Sequence, residues 1–407
     1  MGTESDKKNS VERNAKISAA QAISLLNDNV TEWLNGTVVI PDIPGETDYK
    51  KTPRPDTYSV FSQYIICLSA PNYTVFSNKS SQNQWIKDHD KGYQKGKPSH
   101  YVVSLESPHN AIHLAVGGFY QKGKYNASPI PGANGDMGDN ETAGFDPIFF
   151  LHHCFIDYTF SIWQQIHGFT KRGSLDIIED KITDDKGHSA PYPGTVLKVG
   201  QPLVLKDTLI NMNTPLYPFK KADGTDYTSI DATDISELGY SYDKLGSLER
   251  MVSKDDKMSA NIFNPVFSIA GGPMNFIGYD PTVPSPFSAI KRVYNIRRSQ
   301  YPSSFIIRLY ARNPDGKEVE VGREAILSRS YLKGCANCQN HLDVEMIVPI
   351  DPAALLSLQP HADANISQAD VVIDWAVKIQ TSDGRIREPV KKRSGADRTC
   401  FPQVVDL

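Results

Sequence analysis

The 407-residue sequence has no excess of basic residues, no long apolar run and few cysteines. Its 43 basic residues stand against 47 acidic ones, a net charge of -4, so a phosphate backbone is a disfavoured partner and we expect no nucleic acid. The longest apolar runs, such as Tyr64–Leu68 and Ile148–Leu151, fall far short of the roughly 18 residues that a membrane helix needs. The polar start, MGTESDKKNS, lacks the apolar core of a secretion signal. Five cysteines are few and odd in number for a disulfide scaffold, so we expect a cytoplasmic protein with no membrane partner.

The hydrophobic pattern changes along the chain from helical to extended. Apolar residues recur at three- and four-residue steps in Ser18–Leu34, and similar helical patterns follow up to Gly168. Proline and glycine then recur through an irregular connector to about residue 286. Beyond it, Phe305, Ile307 and other apolar residues alternate with polar ones, as in strands. We predict an α+β fold with a helical domain and connector at 1–285 and a C-terminal β-sandwich at 286–407.

Two histidine motifs carry the candidate chemistry. In HNAIH, His109 and His113 are four residues apart, so on a helix they lie on one face and can bind one metal ion. In FFLHHCF, His152 and His153 point about 100° apart on a helix, so only one is expected to face the metal. A buried histidine is often a satisfied core residue, but four of the ten histidines fall within 109–153. Together the motifs predict a three-histidine metal site.

Longer stretches around these motifs resemble a known family. HNAIHLAVGG, GDMGDNETAGFDPIFFLHHCFIDYTFSIWQ and CLSAPNYTVFSN are similar to the second-copper half of fungal tyrosinases and haemocyanin-like proteins. GCANCQNHLDVEM resembles the β-sandwich that follows the catalytic domain in such enzymes. The resemblance implies a helical tyrosinase-like domain with a truncated helix bundle. It also implies that His109, His113 and His153 are the metal ligands, with His152 in the outer shell.

The same resemblance assigns roles to three further residues. Glu106 matches the acidic residue that holds a water beside the metals, and Asn110 matches the residue that assists it. Phe149 matches the aromatic gate above the site. We therefore expect Glu106 to be the general acid/base, Asn110 to orient it, and Phe149 to line an apolar pocket.

The sequence departs from the family pattern upstream of these motifs. A tyrosinase needs a second set of three histidines, but residues 1–88 contain none, and only His89 and His100 precede His109. The usual dinuclear copper centre cannot then be assembled from this sequence, and the dioxygen chemistry that depends on two coppers should be lost. The chain is either an incomplete copy of a tyrosinase or a protein that uses one metal for other chemistry. In lacking the first metal half it is similar to the cyclopenases of fungal quinolone-alkaloid pathways.

Three functions remain open, and the first is our main interpretation. It is a mononuclear Zn²⁺ enzyme that rearranges a small aryl substrate, a cyclopenin-like benzodiazepinedione epoxide, to a viridicatin-type 4-arylquinolone without redox chemistry, as the resemblance implies. The alternatives are a tyrosinase-like Cu²⁺ oxidase of phenols or catechols and a non-catalytic haemocyanin-like metal-binding protein. Cys335 and Cys338 have CxxC spacing, for which a pair of structural thiols is favoured. Neither the oligomeric state nor the position of the β-sandwich relative to the pocket follows from the sequence.

Overall fold

The computed structural model describes residues 60–89, 101–117, 136–175, 203–242 and, with short gaps, 289–350, 373–389 and 401–407, together with isolated positions within 182–200 and at 355 and 358. The predicted helix Ser18–Leu34 lies outside these residues. In the part that the structure describes, no helix is long and apolar enough to span a membrane.

Five helices make up the first half of the described chain. They are α1 (Val60–Cys67), α2 (Tyr73–Ser77), α3 (Lys79–His89), α4 (Glu106–Gly117) and α5 (Ile148–His167). At the start of α5, Asp146 Oδ1 accepts a hydrogen bond of 3.0 Å from the Ile148 backbone N–H, which satisfies one of the unpaired donors of the first turn. Gly168 ends α5 in the left-handed conformation, with φ of 78°, which glycine adopts without steric cost. Among the described residues, the helical patterns predicted up to Gly168 are thus confirmed as α1, α4 and α5.

The second half consists of short hairpins and two larger sheets. The strands are β1 (Ile182–Thr183), β2 (Ser189–Ala190), β3 (Pro215–Lys220), β4 (Asp226–Thr228), β5 (Ala289–Arg297), β6 (Phe305–Arg312), β7 (Glu318–Ile326), β8 (Asp343–Ile350), β9 (Asp374–Thr381), β10 (Ile386–Arg387) and β11 (Gln403–Asp406). β1 pairs with β2 and β3 with β4 in the connector, while the larger sheets have the orders β10-β9-β6-β7 and β11-β5-β8. All neighbouring strands are antiparallel.

Strand β6 is buried on both of its faces. Phe305, Ile307 and Leu309 are fully buried in a cluster with apolar side chains of the three-stranded sheet, so the predicted apolar face is confirmed. The intervening Ile306 is buried too, but it belongs to the cluster formed by the helices. The sequence indicated one apolar face of β6, whereas the structure gives this strand two different apolar environments.

One apolar cluster joins the helices to the sheets. It combines side chains of α1, α4 and α5, such as Leu114 and Trp163, with Ile306, Ala325 and Ile347 of three strands. The predicted mixture of helices and sheets is confirmed. The truncated bundle, the sandwich and the boundary between 1–285 and 286–407 stay predictions.

A buried polar contact reinforces this junction. Lys79 at the start of α3 forms an ion pair with Glu324 of β7, and both residues are buried. Ser107 of α4 is bonded to both partners, with Lys79 Nζ at 3.3 Å from its Oγ and its Oγ donating to Glu324 Oε1 at 3.2 Å. Two helices and one strand therefore meet at a single carboxylate.

Cys338 departs from expectation, because it is disulfide-bonded. The expected pair of structural thiols is therefore wrong for this residue. Cys335 lies outside the described residues.

We predict that Glu324→Gln lowers the free energy of unfolding by about 3 kcal/mol, because it leaves the buried Lys79 ammonium without its counter-charge. Urea unfolding followed by circular dichroism measures this change. Asp343→Asn is the matched control, since it removes only the exposed Arg297–Asp343 pair and should cost less than about 1 kcal/mol. Equal losses in the two variants would contradict the prediction.

Candidate metal centre

Helices α4 and α5 bring four histidines together. His109 and His113 lie one turn apart on α4, and His152 and His153 are neighbours on α5. One ring nitrogen from each lies within 4.8 Å of the corresponding atoms of the others. His113 and His152 are buried, with 2% and 6% of their surface exposed, while His109 and His153 are half-buried.

Two of the rings are held by hydrogen bonds at Nδ1. His109 Nδ1 lies 2.9 Å from Asn110 Oδ1, and His113 Nδ1 lies 2.8 Å from the backbone oxygen of Met137. With oxygen acceptors at these positions, the proton is assigned to Nδ1, and Nε2 keeps its lone pair. Histidines that bind metals are held in this way by their other ring nitrogen.

The other two rings have a nitrogen without a partner. The Nε2 atoms of His152 and His153 are buried and have no hydrogen-bond partner among the described residues. Buried side-chain nitrogens are nearly always bonded, so such an atom requires an explanation. A metal ion among the four rings would supply it, and the residues present therefore fit a metal.

The environment keeps these rings neutral. Burial, aided by the neighbouring imidazoles, lowers the pKa of His113 to about 4 and that of His152 to about 2. Burial also lowers the pKa of His109 and of His153. A metal binds the unprotonated ring, so the donors are ready for a cation at neutral pH.

The other predicted site residues lie around this centre. Glu106 Oε2 accepts a hydrogen bond of 2.8 Å from the Lys79 backbone N–H, and Asn110 Nδ2 lies 3.5 Å from Glu106 Oε1. Asn110 thus contacts both the acidic residue and His109. The ring centroid of Phe149 lies 4.2 Å from that of His153.

The structure brings all seven predicted site residues into one region. It does not show which of His152 and His153 would bind the metal. Both Nε2 atoms are buried and unpaired, so the assignment of His153 as ligand and His152 to the outer shell stays a prediction. The expectation that only one of the two rings can approach the metal rests on the angle between them along α5. The four-ring group shows that side-chain torsions can compensate for part of that angle.

Sequence reasoning missed the segment that orients His113. Residues Asp136–Gly138 form a short 3-10 helix whose Met137 carbonyl bonds to the ring. This segment contacts α4 at Gly117, where an added Cβ would lie 2.1 Å from the Gly138 nitrogen. The sequence GDMGDN, rich in turn residues, is the signal that could have indicated such a close approach.

Three further histidines in the described ranges are bonded elsewhere. His89 Nδ1 lies 2.8 Å from the Trp85 oxygen, His167 Nε2 lies 2.9 Å from the Leu68 oxygen, and His341 Nδ1 lies 3.1 Å from Ser80 Oγ. The four-ring group is the one cluster of metal-binding side chains found in the described part of the chain.

The comparisons with known proteins agree with this site. Residues 12–166 match the family model of the common central domain of tyrosinase. The chain carries a tyrosinase-like domain. It is 37% identical to tyrosinase HcTyr2 of a Hahella species over 86% of its length, and 35% identical to a tyrosinase of Aspergillus oryzae over 83%. These relatives are bacterial and fungal, so they do not show the fungal origin that the resemblance implied.

A solved structure shows the same likeness. The tyrosinase of Burkholderia thailandensis, at low pH, matches with a TM-score of 0.60 and 36% identity, over 93% of this chain and 61% of that one. By sequence, the chain is also 32% identical to a haemocyanin of Megathura crenulata, over 36% of this chain and 3% of the haemocyanin. The chain spans only 56% of the length of the Hahella and Aspergillus oryzae tyrosinases, so the tyrosinase-like domain corresponds to part of a longer relative.

We predict that Gly117→Ala weakens metal binding about tenfold, because its methyl group displaces the segment that carries the Met137 carbonyl and so releases the His113 ring. Competition with a chromogenic chelator measures the affinity for Cu²⁺ or Zn²⁺. Gly144→Ala is the control, since nothing lies within 4 Å of its added Cβ. The same affinity in both variants would show that this contact does not orient His113.

We predict that the metal-free protein loses stability as the pH falls from about 6.5 to 4. The pKa of His113 is lowered to about 4, whereas an unfolded histidine titrates near 6.5, so the unfolded chain binds more protons in this window. His113 alone should reduce the free energy of unfolding by about 3 kcal/mol between pH 7 and pH 4. Urea unfolding across this range, compared with His113→Gln, isolates the contribution. A pH dependence that is unchanged in the variant would rule out this role.

Proposed function

We propose that the tyrosinase-like domain binds copper and serves the oxidation of phenols or catechols. The observation that carries the proposal is the buried group of four neutral imidazoles, in which two Nε2 atoms have no partner among the described residues. The tyrosinase relatives support copper over zinc as the metal. They also favour the oxidase, which the sequence left as an alternative, over the zinc-dependent rearrangement that was our main interpretation.

His109, His113 and His153 would hold the metal, with His152 beside them. Copper, when bound, supplies the redox chemistry of phenol and catechol oxidation. Phe149 places an aromatic ring against His153, where it would pack on the ring of an aryl substrate and exclude water.

Glu106 is suited to hold the phenolic proton. Its Oε2 is bonded to the Lys79 backbone N–H, while the one contact of Oε1 among the described residues is the long one with Asn110 Nδ2. Oε1 is therefore the oxygen that would take the proton. Asn110 would keep this oxygen directed toward the side of α4 that carries His109.

A second set of histidines is needed for a dinuclear centre. Outside the four-ring group, the 407 residues hold His89, His167 and His341, each with one ring nitrogen hydrogen-bonded, and His100, His188 and His361, which lie outside the described ranges. We propose that the second set comes either from these residues or from polypeptide that is not part of this sequence.

The zinc enzyme is the second candidate, and one observation favours it. Within the described residues there is a single imidazole cluster, and three imidazoles with an open position suit a catalytic zinc ion. In that case Glu106 would be the general acid/base for a cyclopenin-like epoxide.

We also propose the finer architecture, a truncated helix bundle followed by a sandwich of the two larger sheets, because both sheets share one apolar cluster.

The experiment loads the purified protein with Cu²⁺ or Zn²⁺ and measures metal per chain, quinone formation from 4-methylcatechol, and turnover of an aryl epoxide. We expect copper to bind at this cluster and His113→Ala to release it. If two coppers bind, catechol oxidation should accompany them. If one binds, oxidation should appear only after a segment with a second histidine set is supplied.

Two results would contradict the proposal. One is a zinc-loaded protein that converts the epoxide while no copper-loaded form oxidises catechol. The other is copper binding that is unaffected by His113→Ala.

A further inference from the structure

A cleft lies between the candidate metal centre and the three-stranded sheet. Its volume is about 940 Å³, and Glu106, His109 and Asn110 of α4 form part of its wall. Most of the other lining side chains are polar or charged, and a few apolar ones, such as Ile326 and Leu342, lie among them. In a small-molecule site, directed polar groups of this kind fix the orientation of the ligand and provide specificity.

Most of the cations in this cleft are in direct contact with carboxylates. Lys87 and Arg292 are both paired with Glu345, at 2.8 and 2.6 Å. Arg297 is paired with Asp343 at 2.9 Å. The Lys79 ammonium is paired with Glu324. Lys87 and Arg292 share one carboxylate, so one positive charge is left over, but each of these four cations is in direct contact with a carboxylate.

Arg298 differs from the other cations of the cleft. Its Nε donates to the His341 backbone oxygen at 2.9 Å, and its Nη1 donates to the Leu327 backbone oxygen. No carboxylate among the described residues forms an ion pair with it. Two neutral carbonyls thus fix the guanidinium in place, while its charge remains uncompensated by direct contact.

The remaining donors of Arg298 suit a planar anion. A guanidinium has five N–H groups, and two are used by the carbonyls. Burial lowers the pKa of Arg298, and the nearby Glu106 carboxylate opposes this effect. Arginine nevertheless stays protonated in proteins, and a partly desolvated guanidinium binds a carboxylate strongly through paired hydrogen bonds.

We propose that Arg298 binds the carboxylate of an aromatic acid whose ring lies in this cleft. We infer this binding site from the cleft alone. That the aromatic acid is a phenolic substrate rests on the proposed function, in which the phenol would face His109 and Glu106. Arg298 is then a residue that determines specificity, because it selects phenols that carry an acidic group over neutral ones.

The test uses the full chain without metal, at pH 7.5, so that an anion cannot bind through copper. Isothermal titration compares benzoate with benzamide, a neutral probe of similar shape. We expect benzoate to bind at least about tenfold more tightly. Arg298→Met should remove this preference and Arg298→Lys should keep part of it. Arg297→Met, which alters a paired cation in the same cleft, should bind as the wild type does.

Equal binding of benzoate and benzamide by the wild-type chain would overturn the proposal, as would a preference that survives in Arg298→Met. If Arg298→Met does not fold, the wild-type ratio and Arg298→Lys decide the question. Neither measurement depends on copper, so a failure here leaves the oxidase proposal standing. A lack of catechol oxidation would likewise not contradict the proposed anion site.

Discussion

The candidate site depends on neutral imidazoles held by hydrogen bonds at one ring nitrogen. Asn110 and the Met137 carbonyl fix the Nδ1 sides of His109 and His113, which leaves Nε2 free to bind a cation. Burial among other imidazoles keeps protons away from the rings. A cluster of this kind is costly for a protein without a ligand, since buried nitrogens lose their hydrogen bonds to water. The geometry therefore fits a metal ion in the centre.

Much of the site followed from the sequence, because its residues lie on two helices with regular spacing. A four-residue step places His109 and His113 on one face of α4, and the run FFLHHCF places the second pair on α5. Glu106, Asn110 and Phe149 could be assigned from the resemblance to tyrosinases. Each of these inferences uses contacts within one helix or a long motif.

The features that the sequence did not predict are contacts between distant segments. The Met137 carbonyl reaches His113 only because Gly117 lets a loop approach α4. Glu324 is separated from Lys79 by 245 positions, and no local pattern indicates that they pair. Ile306 looked like the outer face of a strand, but the helices cover it. The choice between zinc and copper also lay beyond the sequence, since three imidazoles suit both ions.

The apolar cluster shared by helices and sheets limits how this molecule can be divided. Ala325 of β7 and Ile347 of β8 belong to the same core as Leu114 of α4, the helix that carries two of the histidines. A fragment that stopped before the strands would leave this side of α4 in water and take away the charge partner of Lys79. The smallest polypeptide able to present the four imidazoles in this arrangement therefore includes strands from the far end of the chain.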